Sequence, residues 1–175
     1  MVALLLVAVA SASTDSLAAA LGWGLMSALF ASALPFAYIV AGVRGRRLTD
    51  HHIGLREQRT VPLLVGILSV VGGLVLLQLL GAPRQLFALV VAMLAGLIAT
   101  VLVTVVWKIS VHSAVAAGTA VIVVQVFAVP ALVVAPVVAL VACARVASHD
   151  HTVAQVVAGA AMGATIAGLV FGALR

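Results

Sequence analysis

Charge is scarce in this chain: only 7% of its 175 residues are Asp, Glu, Lys or Arg, while 66% are hydrophobic. A soluble domain carries about a quarter charged residues, so a water-soluble globule is excluded. Cysteine is nearly absent as well. The lone Cys143 excludes an internal disulfide and reads as a small packing residue. Acidic residues number four (Asp15, Asp50, Glu57 and Asp150), too few for a magnesium site built on clustered aspartates. The chain also lacks a Gly-rich phosphate loop and a CxxC pair, which removes the simplest nucleotide-binding and redox readings. The net charge of +5 fits anionic lipid headgroups rather than nucleic acid in so apolar a chain.

What remains is long apolar sequence. Charge-free runs cover 16–43, 60–83, 85–107, 109–144 and 152–174, and about 20 apolar residues suffice to cross the hydrocarbon layer. The run 109–144 would make a helix of about 54 Å, too long for one crossing. A turn near Val129–Pro130 divides it, with Pro136 falling in the second half. The expected fold is all-α: one polytopic membrane domain, 1–175, of about six helices with short loops. Residues 1–13 are apolar but short. They suit a truncated or tilted helix better than a signal peptide, because no basic segment precedes the cleavage-like Ala8-Val9-Ala10 and Ala10-Ser11-Ala12.

Six crossings place the loops 44–60, 107–113 and 145–155 on one side. All five histidines (His51, His52, His112, His149, His151) fall there, as do seven of the nine Lys and Arg residues; Arg84 and Arg175 fall opposite. Positive residues favour the cytoplasmic face, so this rim is expected there, in the cell membrane. Two arginines, a lysine and a hydroxyl form a phosphate cradle, since guanidinium forks match phosphate oxygens. Two histidines beside it can serve as nucleophile and general acid. His51, His52 and His149 flank Asp50 and Asp150 but offer no ligand pair with helical spacing, so no metal site is expected. Arg44, Arg46 and Arg47 read as a topogenic cluster on lipid phosphates.

These loops resemble the type-2 phosphatidic acid phosphatase superfamily of membrane lipid phosphatases. Its motifs are K-x(6)-R-P, P-S-G-H and S-R-x(5)-H-x(3)-D. Arg145 and His151 match the third at its spacing, Ser110 and His112 match the second, and Arg59 matches the first, with His52 in the lysine position. The resemblance covers roughly 50–172. It implies a phosphatase needing neither metal nor cofactor, acting on a lipid phosphate or diphosphate with a polyprenyl or glycerolipid tail. By carry-over, His151 attacks phosphorus to form a phosphohistidine, and His112 protonates the leaving alkoxide. Arg59, Arg145 and Ser110 then hold the phosphate oxygens. Charge and proximity add Lys108 and Arg56 to that cradle.

Thr60, Ile109, Val111 and Ala144 depart from the motifs, and Gln155 stands where the family has the aspartate that orients the nucleophile. A glutamine oxygen fixes the histidine tautomer but stabilises an imidazolium less than a carboxylate does. The alternative is therefore a family-like protein that binds an isoprenoid or lipid (di)phosphate for transfer, cyclisation or carriage.

The glycine pairs Gly159-x-x-x-Gly163 and Gly168-x-x-x-Gly172 mark a close-packing helix face, used within the chain or in a homodimer. Trp23, Tyr38 and Trp107 near span ends fit an interfacial belt.

Overall fold

The computed structural model describes residues 1–46 and 60–175, and these are helical without a strand. The helices are α1 (Val2–Ala12), α2 (Leu17–Arg44), α3 (Thr60–Leu79), α4 (Arg84–Val106), α5 (Val111–Phe127), α6 (Ala131–Ala147) and α7 (Val153–Leu174). Four of them, α2, α3, α4 and α7, are long and apolar enough to cross a membrane, whereas α1, α5 and α6 are shorter apolar helices. The six expected spans thus correspond to four long helices and two of 17 residues. The short N-terminal segment forms a helix of its own. The chain divides into two compact units, Met1–Val90 and Val91–Arg175, the division falling within α4.

In the first unit, α1 and α2 form a hairpin closed by the cap at Ser16, whose hydroxyl accepts from Ala19 N–H at 3.5 Å. Leu6, Val9 and Ala10 of α1 are fully buried. The hairpin closes tightly because Gly24 has no side chain: a Cβ there would stand 2.7 Å from Val7 Cα. Further along α2 the turn Leu29–Ala33 widens to π geometry, with Leu34 N–H bonded to Leu29 O. Pro35 explains it. In this register the Phe30 carbonyl faces a residue with no N–H to give. It accepts instead from Ser69 Oγ on α3 at 2.6 Å, and Gly73 makes room for the Phe30 side chain. A proline in one helix is thus compensated by a serine in the next.

The second unit is built on α5 and α7. Small residues face each other in matching order along both helices. A Cβ on Gly159 would fall on the Ser110 carbonyl, and one on Gly163 would fall on the Ala114 carbonyl. One on Gly118 would stand 3.2 Å from Gly163 O. Gly168 faces Val121 and Gly172 faces Gln125. Because both numbers rise together, α5 and α7 run parallel, and the glycine stripe read from the sequence is used within the chain. Ala114, Ala116, Ala117 and Ile122 of α5 and Val156, Ala167 and Phe171 of α7 are buried.

Between them α6 must run the other way. It is entered through Ala128 in the left-handed region (φ 54°) and Pro130, which begins the helix without needing a donor. Its outer face, with Leu132, Val133, Val137 and Leu140 exposed, has the apolar character of a lipid-facing surface.

This up-down-up order has one consequence for function. It brings the N-terminal ends of α5 and α7 and the C-terminal end of α6 to one rim.

Candidate functional site at the rim of the second unit

The segment preceding α5 is Trp107-Lys108-Ile109-Ser110. Ser110 caps the helix: its hydroxyl accepts from Ser113 N–H at 3.3 Å and pairs with Ser113 Oγ at 2.9 Å. Both serines are fully buried. Ser110 N–H also donates to the Gln155 backbone carbonyl at 3.3 Å. Expected as a phosphate ligand, Ser110 is instead a bolt between the start of α5 and the start of α7. Its hydroxyl is spent on the cap, and Gly159 must remain a glycine because it passes the Ser110 carbonyl. His112, in the first turn of α5, lies on the same rim and is exposed.

The segment from α6 to α7 begins at Arg145, in the last turn of α6. His149 takes the left-handed conformation (φ 58°) with its N–H on Val146 O at 3.0 Å. This conformation is better tolerated by His than by most residues. The chain then turns back, and His151 N–H donates to Arg145 O at 3.2 Å. Asp150 is left at the outer edge of the turn. Its carboxylate accepts from Ser148 Oγ at 2.7 Å and from Arg145 Nη1 at 3.2 Å. Lys108 reaches across from the other segment to the Asp150 backbone carbonyl at 2.6 Å.

Helix α7 opens with a capping box. Thr152 Oγ1 accepts from Gln155 N–H at 3.3 Å, and Gln155 Oε1 accepts from Thr152 N–H at 3.2 Å. This second bond orients the amide, since a backbone N–H needs an oxygen opposite it. The same oxygen lies 3.1 Å from His151 Nδ1, so Nδ1 carries the proton and donates. In the neutral ring the lone pair is then on Nε2. Gln155 therefore holds the His151 ring from its Nδ1 side, while Thr152 holds Gln155.

The structure brings together Lys108, Ser110, Arg145, His151 and Gln155, with His112 on the same rim. The remaining candidates, Arg59, His52 and Arg56, lie outside the described residues. Sequence reasoning missed the roles of Asp150, Ser148 and Thr152. Only Thr152 carried a readable signal, the Thr-x-x-Gln capping pattern.

Among the described residues the rim is positive with one acidic insert, Asp150. The Ser148 hydroxyl bond is the largest influence holding the Asp150 carboxyl below its ordinary value. Desolvation opposes it, and the charges of Arg145, His151 and Lys108 lower the value further. A depressed carboxyl contributes stability that is present above its ordinary pKa, about 3.9, and lost as the pH falls through the lower folded value. The Asp150 carboxyl carbon should therefore titrate below the ordinary range by NMR, and Ser148→Ala should move its midpoint upward. A midpoint at or above the ordinary value would refute the arrangement.

No protein-family model matches the chain, and neither a curated protein nor a solved structure does.

Proposed function

We propose that this chain is an integral membrane phosphatase with a histidine nucleophile, acting on the phosphate or diphosphate of a polyprenyl or glycerolipid. Helices α2 to α7 would make six crossings. The two of 17 residues span about 26 Å each, enough for a hydrocarbon layer of about 30 Å with slight local thinning. The excess of Lys and Arg puts the rim on the cytoplasmic face.

One observation carries the reading. The segment holding Ser110 and His112 and the segment holding Arg145 and His151 are bonded together, through Ser110 N–H to Gln155 O and Lys108 Nζ to Asp150 O. Residues that phosphoryl transfer needs at one phosphorus atom thus share one rim.

In the reaction the lipid lies between helices with its phosphate at the rim. Arg145 and Lys108 hold the non-bridging oxygens. His151 Nε2 attacks phosphorus in line, and the bond to the lipid oxygen breaks as His112 donates a proton to that oxygen. Water, giving a proton back to His112, then cleaves the phosphohistidine and releases phosphate. Ser110 acts as a positioning residue. The parallel N-termini of α5 and α7 add favourable dipole ends for an anion.

Gln155 favours a second reading. Its oxygen serves both Thr152 N–H and His151 and carries no formal charge, so it supports an imidazolium less than a carboxylate would. The same pocket would then bind a lipid (di)phosphate for transfer, cyclisation or carriage.

The test is phosphate release by the purified protein across a panel of lipid phosphates and diphosphates, with and without EDTA. Turnover of at least one lipid, insensitive to EDTA, is the expected result. The hydrolase reading fails if no member of the panel is cleaved, and the metal-independent mechanism fails if EDTA abolishes cleavage.

A further inference from the structure

We propose that Asp150 is an internal occupant of an oxyanion site formed by Lys108 and Arg145, and that a phosphate monoester binds there by displacing it. The inference rests on the rim being a phosphate site and adds to it a residue that competes with the ligand.

Two cations from different segments converge on Asp150. Arg145 Nη1 meets carboxylate oxygen Oδ2 at 3.2 Å, and Lys108 Nζ meets its backbone oxygen at 2.6 Å. One carboxylate oxygen and one carbonyl oxygen thus supply what two oxygens of a phosphate would supply. Ser148 Oγ, at 2.7 Å from Oδ2, holds the carboxylate in that pose.

The occupant is weakly held. The Asp150 side chain is 51% exposed and that of Arg145 30% exposed, and exposed ion pairs contribute little. A phosphate dianion offers more, because it can take the Arg145 fork bidentately and the Lys108 ammonium directly. The Asp150 carboxylate can swing out while the turn keeps its backbone bonds, and the Lys108 ammonium can exchange the Asp150 carbonyl for a ligand oxygen. A rim with two strong cations and no ligand would otherwise repel itself. Asp150 offsets that repulsion until a phosphoryl group arrives.

The experiment measures binding by the full chain in detergent, using radiolabelled inorganic phosphate, and in phosphatidylcholine nanodiscs with and without phosphatidic acid. Asp150→Asn should tighten phosphate binding about ten-fold or more, as expected when a competing charge is removed from a shared site. Ser148→Ala leaves every charge in place but frees the carboxylate, and it should tighten binding a few-fold in the same direction. Adding Arg145→Gln to Asp150→Asn should return binding to the weak level.

A shift with inorganic phosphate shows that the phosphoryl group alone displaces Asp150. A shift confined to phosphatidic acid discs shows displacement by the lipid headgroup. The proposal is overturned if neither variant tightens binding, or if Asp150→Asn does and Ser148→Ala does not, since charge removal would then explain the effect. Tighter binding with no hydrolysis by any form leaves displacement standing and defeats the phosphatase reading. Hydrolysis without a binding shift does the reverse.

Discussion

Gly163→Val should cost the second unit about 2–4 kcal/mol of stability and most of any activity at the rim. The size of the effect follows from backbone approach. A Cβ at Gly163 falls on the Ala114 carbonyl, and backbone cannot move aside as a flexible side chain can. Overpacking of this kind typically costs 1–3 kcal/mol, and valine adds two further methyl groups. The parallel helices α5 and α7 would have to separate, and with them Ser110 and Gln155, whose bond joins the two rim segments. Thermal unfolding in detergent measures the first effect and phosphate binding the second. Gly22→Ala is the control: nothing lies within 4 Å of a Cβ there, so alanine should be neutral or slightly stabilising through its helix propensity. An unchanged melting temperature for Gly163→Val would mean that α5 and α7 do not pack as described.

The second large effect concerns His151 and its partner. His151→Ala should lower phosphate release by a factor on the order of 10⁴, the scale on which loss of a nucleophile or its base acts in hydrolases. Gln155 is more informative, because its geometry is fixed on two sides. Its oxygen caps Thr152 N–H and meets His151 Nδ1, and glutamate is the other residue that completes a capping box. Gln155→Glu therefore preserves length, cap and tautomer while adding the charge that the family's aspartate would supply. A rise in turnover of about ten-fold or more is expected for a hydrolase weakened by the missing charge. Unchanged turnover with intact lipid phosphate binding would favour the carrier or transfer reading. Gln155→Leu, which removes the acceptor, should lower turnover and destabilise the start of α7 by about 1 kcal/mol.

The helical scaffold was legible because its signals are local. Charge-free runs marked the apolar segments, and Pro130 marked the break between α5 and α6. The pairing of helices was only half legible. The glycine stripe announced a close neighbour, but nothing in α5 names itself as the partner, since its Ala and Gly positions look like those of any apolar helix. The π-turn in α2 was hidden for a related reason. Pro35 signals a missing donor, yet the serine that replaces it stands on another helix.

At the rim, side-chain type was readable and side-chain allegiance was not. Ser110 has the chemistry of a phosphate ligand, but at a helix start the nearest N–H claims its hydroxyl. Asp150 drew attention as a neighbour of histidines. Its actual partners, Arg145, Ser148 and Lys108, meet only because His149 turns the chain back and because α5 and α7 run side by side.

The central claim is that a phosphoryl group reacts with His151 at this rim. It is tested most directly by mixing the purified protein with ³²P-labelled lipid phosphate, quenching, and looking for label that survives base but not acid, the behaviour of a phosphoramidate. The account requires such label on the wild-type chain, mapped to His151 and absent from His151→Ala. Phosphate release without any acid-labile label on the wild-type chain, or label persisting in His151→Ala, would contradict it.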